Sequence, residues 1–364
     1  MKFSILKADL AKYIGIAQRA ISSKSSIQIL EGIVFEAKND ELILSSTDLE
    51  LSVNTRVACK VEEEGAIVLN SEIIGNIVRK MPEDYITFNG NIENIKITCQ
   101  NSTFDLKGQD AMDYPSLPDP VDDITMSIDS KDLKEAIRET IFATSTDETW
   151  MALTGVLLNQ KEDYIEFVGL DGYRMAIKCF PQKMDGEINT IVPKRALNEL
   201  SKIIDSGNVN ISIVKGHIIF ATESTLMYSR TIDKKYIDYE RIISTENKTS
   251  LVINRDDLLG SLERAILLAK GGAVSLSKFT VSDGVVNIQS SSDYGELNED
   301  VLCEKTGQDL VISFNTRYVL EGLKAIDDDQ LKIYLNESLN PMIIHPLSDE
   351  DSFLYLVLPV RMSH

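Results

Sequence analysis

Histidine is nearly absent from the chain: His217, His345 and the terminal His364 are all there are among 364 residues. Two of these lie in strand-like runs, so a metal cluster or a triad base has little to be built from. The common catalytic signatures are missing too, with no G-x-G-x-x-G, Walker loop, H-E-x-x-H or G-x-S-x-G. Cys59, Cys99, Cys179 and Cys303 are far apart and form no C-x-x-C pair. That argues against a zinc or disulfide framework and predicts reduced, mostly buried thiols in a cytosolic setting. The opening MKFSILKADL runs straight into an alternating strand without a signal-peptide h-region, and FLYLVLPV is too short to cross a bilayer. Proline is scarce at 9 residues, which suits an ordered globular chain. Positive charge is in deficit, 37 Lys+Arg against 57 Asp+Glu, so a net −20 should repel nucleic acid and anionic lipid on average. With that many carboxylates, any acidic pair reads first as solvated surface, and Asp327-Asp328-Asp329 reads as a turn after a helix. No catalytic group, metal site or cofactor is expected.

What the chain does have is repetition. PKRALNELSKIID (193–205) reads as an amphipathic helix with Leu197, Leu200 and Ile204 on one stripe and Lys194, Arg195 and Lys202 off it. Pro193 suits its first turn, and Gly207 lies just past its end. Shifting by 123 residues lands on Ile74 and Ile77 in one direction and on Leu320 and Leu323 in the other. Asp48, Asp171 and Asp293 each close a strand at nearly the same spacing. A first helix recurs as well: Leu10, Ile14, Ala17 and Ile21 form its apolar stripe with Lys12 and Arg19 opposite, and Leu133 answers Leu10. The chain is a triplicated unit.

Each unit reads as a strand, a helix, several period-2 strands, the second helix and further strands. Helices are expected over 7–24, 71–81, 131–144, 194–204, 255–270 and 316–326, with a charged turn at EEEG (62–65). The proline-rich 114–123 and the polar 244–250 separate domains at 1–121, 122–247 and 248–364. This order predicts α+β units, two helices on antiparallel sheet. The six helices carry 17 Lys+Arg against 10 Asp+Glu, a net +7 that leaves −27 elsewhere. A helical layer of opposite sign to the remainder fits a polyanion-facing surface, since phosphate backbones are gripped through Lys and Arg. It fits equally the plain fact that both residues are good exposed helix formers.

The strings MKFSILKADL, AISSKSSIQILEGIVFEA, LSSTDLELSV, GLDGYRMA, YIDYERII, FNTRYVLEGL and LVLPVRM, in this order, resemble the bacterial DNA sliding clamp, the β subunit of DNA polymerase III. The resemblance runs from Met1 to about Met362 and implies three DNA-clamp domains in each chain. It implies further a head-to-tail homodimer, a six-domain ring around double-stranded DNA, with no chemistry of its own. Such a ring would tether the polymerase catalytic subunit and also receive the clamp-loader complex and repair proteins carrying clamp-binding peptides. It would be cytoplasmic and nucleoid-associated, with no membrane partner. From the resemblance and the helix faces together, Lys12, Arg19, Lys24, Arg79, Lys80, Lys134, Arg138, Lys194, Arg195, Lys202, Arg317 and Lys324 are expected near DNA, without base readout.

The resemblance also implies an apolar pocket for the partner peptides. Carried over by position, it comprises Leu153, Leu170, Gly172, Tyr173, Arg174, Met175, Ile237, Arg241, Ile242, Asn315, Tyr318 and Pro341. To these it adds Leu356, Val357, Leu358, Pro359, Val360, Arg361 and Met362. The family's usual T-D-G-H-R-L is Leu170-Asp171-Gly172-Tyr173-Arg174-Met175 here, a common proline is Ile237, and Ser363 and His364 extend the terminus. These departures bear on peptide preference. The subunit contact would bring the edge strand around Phe104 and Leu106 against a region including Ile266 and Leu267. Two other readings compete: a repeat-built peptide-binding scaffold that never encircles DNA, and a carboxylate-dependent hydrolase.

Overall fold

Strict alternation of apolar and polar residues leaves a strand half buried, and that pattern governs most of this chain. The structure, a computed structural model, describes residues 1–22, 27–117, 124–182, 188–214, 216–243, 247–268 and 275–361. It divides into two compact units, residues 1–131 with 195–231, and residues 132–194 with 232–364. Every sheet in both is antiparallel. Lys24 and Met362 lie outside the described residues.

In the first unit, Lys60–Glu63, Lys2–Leu6, Tyr85–Gly90, Ile95–Cys99 and Ser102–Leu106 form a five-stranded sheet in that order. Met126–Asp129, Asn208–Val214, His217–Ala221, Thr225–Arg230, Leu51–Ala58, Glu41–Thr47, Gly32–Lys38 and Gly65–Asn70 form an eight-stranded one. Its middle joins segments far apart in sequence: Thr225 faces Thr55, their buried hydroxyls are 2.7 Å apart, and Thr55 donates to the Ser224 carbonyl at 3.1 Å. In the second unit twelve strands form one continuous sheet, in which Arg174–Pro181 pairs with Phe353–Val357.

Six α-helices lie among the described residues: α1 (Lys7–Ala17), α2 (Ser71–Lys80), α3 (Ser130–Ile141), α4 (Lys194–Ile203), α5 (Arg255–Ala265) and α6 (Thr316–Ala325). Asparagines 70, 254 and 315 cap α2, α5 and α6 by accepting from first-turn amides, as short polar side chains do. The stripes fall where periodicity places them, with Leu10, Ile14, Ala17, Leu197, Leu200, Leu320 and Leu323 buried. The α2 register is one residue off the expected spacing: Val78 is fully buried and Ile77 only partly.

Several boundaries differ from expectation for local reasons. The helix expected over 7–24 stops at Ala17 and tightens into a 3₁₀ turn at Gln18–Ala20, where the Ile21 amide donates to the Gln18 carbonyl. The fifth helix likewise yields to a 3₁₀ turn at Ile266–Leu268. α3 ends at Ile141, and the Thr144 hydroxyl closes its last turn by donating to the Ile141 carbonyl at 2.8 Å. The expected turn at EEEG is partly strand: Lys60–Glu63 pairs with Lys2–Ser4, and Glu62 lies 2.5 Å from the Lys2 ammonium. Charges are tolerated there because the strand is an edge. Gly295–Gly307, thirteen residues and mostly exposed, has no apolar alternation that would announce it as a strand. Its first part pairs only with Val285–Ser292 and its last part with Thr249–Ile253, so one flank of residues 295–302 is open among the described residues. Of the four thiols only Cys99 is fully buried.

One close approach ties α6 to the strand beneath it. A Cβ at Gly322 would stand 2.0 Å from the Tyr355 ring, which is itself fully buried with its hydroxyl donating to the Tyr318 carbonyl at 2.7 Å. Gly322→Ala should therefore cost about 2–3 kcal/mol through overpacking. Thermal denaturation checks it: an unchanged midpoint would mean the ring shifts freely.

Candidate peptide-binding cleft

The turn Asp171–Arg174 is built by its own aspartate. Asp171 Oδ1 accepts from the amides of Tyr173 and Arg174 at 2.9 and 3.0 Å, and the Asp171 amide donates to the Arg174 carbonyl at 3.2 Å. Gly172 sits at φ 88°, a conformation glycine adopts without Cβ strain. Asp48 makes the same turn 123 residues earlier, accepting from Glu50 and Leu51, with Leu49 forced to φ 77°. In the third repeat the Ser292 hydroxyl takes over, accepting from the Tyr294 amide at 3.2 Å.

From this turn the Arg174 side chain enters the protein and is 7% exposed. Its Nε donates to Asp171 at 3.0 Å, Nη1 to Glu321 at 2.5 Å and Nη2 to the Phe142 carbonyl at 2.9 Å. The guanidinium lies 4.6 Å from the Tyr318 ring centre and 5.4 Å from that of Phe142. Burial disfavours the charge, but Tyr355, Glu321 and Asp171 outweigh it and hold the guanidinium's pKa above its ordinary value. The Tyr173 and Tyr318 rings stack at 6.0 Å. Around them opens a cleft of about 810 Å³ whose further lining includes Trp150, Leu153, Lys194, Ile237 and Arg317. Trp150 and Tyr173 are each 62% exposed. Large apolar faces beside fixed polar groups are what a peptide-anchoring site requires.

The structure thus gathers Leu153, Gly172, Tyr173, Arg174, Ile237 and Tyr318 around one space. Leu170, Met175 and Leu356 lie in the apolar core shared with Leu153, where Ile242 and Leu358 pack against it, and Val357 belongs to a different core cluster. The Leu358 amide donates to the Tyr173 carbonyl, and the Val360 amide to the Ser313 carbonyl at 2.8 Å. Asn315 caps α6, Arg241 is exposed and paired with Asp238, and Arg361 borders a separate polar groove with Lys278 and Ser313. Pro341 and Pro359 are half-buried and do not line the cleft. Sequence reasoning missed Phe142, Trp150, Asp147 and Glu321. Trp150 is the chain's single tryptophan, in a polar context, which was the one available signal.

The helical cations are mostly engaged. In the first unit Lys12 pairs with Asp205 at 3.5 Å, Arg19 and Lys202 with Glu199 at 3.4 and 2.9 Å, and Arg195 with Asp48. Arg79 bonds Gln18 and Asn76, beside exposed Lys80. In the second unit Arg138 pairs with Asp327 at 2.6 Å and Lys324 with Glu263 at 2.7 Å, and Lys134 is half-buried. Lys194 and Arg317, also expected near DNA, line the cleft. Phe104 and Leu267 are 41% and 72% exposed, while Leu106 and Ile266 pack partly against core.

Among the described residues no group of three or more His, Cys, Asp or Glu could hold a metal. Burial pushes the Cys179 thiol up to about 12 and that of Cys59 to about 11, away from thiolate chemistry. His345 Nδ1 sits 2.8 Å and 3.0 Å from the Glu350 and Phe353 carbonyls. Asp328 accepts from the amides of Gln330 and Ser348, as a turn residue does.

Three family models match in tandem: DNA polymerase III beta subunit, N-terminal domain at residues 1–118, central domain at 127–238 and C-terminal domain at 240–361. The chain belongs to the DNA polymerase III beta subunit family. Members of this β sliding clamp family are non-catalytic processivity subunits. A beta sliding clamp of Halalkalibacterium halodurans is 32% identical over 99% of this chain and 100% of its own length. The DNA polymerase sliding clamp of Bacillus subtilis superposes with a TM-score of 0.96 at 29% identity, covering 100% of both chains. A clamp of Pseudomonas aeruginosa bound to griselimycin gives 0.94 at 25% identity, again over 100% of both.

Removing the cleft's central cation should unsettle its frame before anything else. Arg174→Met leaves Asp171 and Glu321 without their partner and should cost about 3 kcal/mol, the lower end for a broken buried pair because Glu321 is partly exposed. Arg174→Lys should recover only part of this, lacking the fork and the stacking plane. Urea midpoints decide it: equal midpoints for Met and wild type would place the network outside the folding core.

Proposed function

We propose that this chain works as a sliding clamp, a head-to-tail homodimer whose ring encircles duplex DNA and tethers the replicative polymerase. The observation that carries the reading is the tandem match of three β-subunit domains over nearly the whole chain. We place the domain limits at 1–121, 122–247 and 248–364. The basic helix faces would line the hole. Their existing ion pairs are exposed or half-exposed and worth about 0–1 kcal/mol each, so phosphates can replace the carboxylates at little cost. Contacts of this kind read no sequence and allow sliding.

For the ring joint, the edge of Ser102–Leu106 with exposed Phe104 would meet the flank of residues 295–302, both unpaired among the described residues, and the region of Ile266 and Leu267 on a second copy. Edge-to-edge pairing would satisfy both rows of backbone groups. The cleft would receive short peptides of the polymerase catalytic subunit, the clamp-loader complex and repair proteins. The working location is the cytoplasm, on the nucleoid; no helix among the described residues is long and apolar enough to cross a membrane.

Loaded onto circular primed DNA, the protein should stay bound through a gel-filtration column and fall off once the circle is cut. Retention unaffected by linearisation would rule out the topological mechanism. Separately, Tyr173→Ala with Ile237→Glu alters two exposed cleft residues. It should remove about 2–4 kcal/mol of anchor burial and abolish polymerase stimulation, while retention on circles persists. Stimulation at the wild-type level would exclude the cleft as the docking site.

A further inference from the structure

We propose that the cleft selects ligands bearing a carboxylate, which Lys194 and Arg317 hold while an apolar side chain of the same ligand covers Trp150 and Tyr173. This rests on the peptide-docking role proposed above. The cleft contains three carboxylates and three cations. Each carboxylate is already committed. Asp147 Oδ1 accepts from the Thr149 amide and hydroxyl at 2.9 and 2.8 Å, Asp171 from its own turn and Arg174, and Glu321 from Arg174. Arg174 is consumed by the same network. Lys194 and Arg317 remain, and among the described residues no carboxylate lies within ion-pair distance of either.

An ammonium half removed from water beside a guanidinium is in an unfavourable place. Burial first, then the Arg174 charge, hold the Lys194 pKa below the ordinary lysine value, although Glu321 and Asp171 act in the opposite direction. An incoming anion relieves both strains and forms charge-assisted hydrogen bonds, the stronger kind. The phosphates of duplex DNA would satisfy the charge, but its bases are stacked inside the helix and cover neither of two rings that are each 62% exposed. A peptide brings both. The carboxylate comes from an Asp or Glu side chain or from a free C-terminus, and the chemistry is the same.

Trp150 is the only tryptophan, so its emission reports on this cleft in the full-length protein. The probes are tryptophan-free pentapeptides with two apolar residues, made as Asp and Asn versions and as free acid and C-terminal amide. At low salt the acidic member of at least one pair should bind about tenfold tighter than its neutral twin, as charge-assisted contacts predict. Whichever pair shows the difference identifies the source. In Lys194→Gln/Arg317→Gln the preference should fall below about twofold, and each single variant should lose part of it, which covers the case of a double variant that folds poorly. Equal affinity within every pair, or a preference that survives both substitutions, overturns the proposal while leaving peptide docking intact. If no peptide of either charge changes the emission, the docking role itself falls with it. If the variants weaken retention on circular DNA and leave the peptide preference untouched, the two cations serve phosphate and the proposal is wrong.

Discussion

A guanidinium taken out of water must find its counter-charges within the protein, and the cleft depends on Arg174 finding them. Its four partners come from three places in the chain: the turn at Asp171, the end of α3 at Phe142, and Tyr318 and Glu321 on α6. Arg174 also begins the strand that pairs with Phe353–Val357, so one residue fixes sheet register and helix position together. Tyr355, at the centre of that pairing, lies under Gly322 and bonds the Tyr318 carbonyl. The orientation of the Tyr318 ring, and with it one wall of the cleft, follows from these contacts. The space is left over from satisfying a buried charge.

Comparison of repeats shows how one plan yields two different joins. Leu51 and Arg174 hold corresponding places after the aspartate turn, and Arg195 and Tyr318 correspond on α4 and α6. In the first join the residue after the turn is apolar and buried, and the helix supplies the cation, Arg195, which reaches Asp48. In the second the turn supplies the cation and the helix supplies the ring it lies on. Exchanging which element carries the charge turns an exposed ion pair into a buried one. The helix position, relieved of its charge, becomes aromatic wall.

The repeat itself was legible from sequence because burial imposes periodicity, and periodicity survives divergence. Leu197, Leu200, Leu320 and Leu323 are buried for the reason their spacing announces. The Gly295–Gly307 strand was invisible because it is mostly exposed: a strand that buries little on either face has no apolar rhythm to read. Of the cleft, the residues within GLDGYR followed from resemblance, and Arg174 and Tyr173 line it. Phe142, Trp150 and Glu321 could not be found that way, since they reach the cleft from separate elements and no local pattern marks them. That Lys194 and Arg317 line the cleft was not legible either, for the opposite reason. Helix-face reasoning sees that a cation lies off the apolar stripe, but it cannot say whether that face looks onto an open surface or into a cleft.

That distinction reaches to the charge of the whole chain. A net of −20 and a ring around DNA are compatible only if cations are placed where phosphate passes and are otherwise kept quiet. On the helix faces Lys12, Arg19, Arg138, Lys202 and Lys324 each hold a carboxylate at 2.6 to 3.5 Å in the protein alone. Such pairs neutralise the surface toward passing anions yet exchange readily, because an exposed pair is weak and screened by salt. In the proposed ring, threaded duplex held close by topology would compete for those cations at high local concentration, as free polyanion would not. The cleft follows the opposite rule, with Arg174 locked and Lys194 and Arg317 left over. Cations that are paired but exchangeable suit a sliding contact. A cation that is half-buried and unpaired suits a ligand that stays.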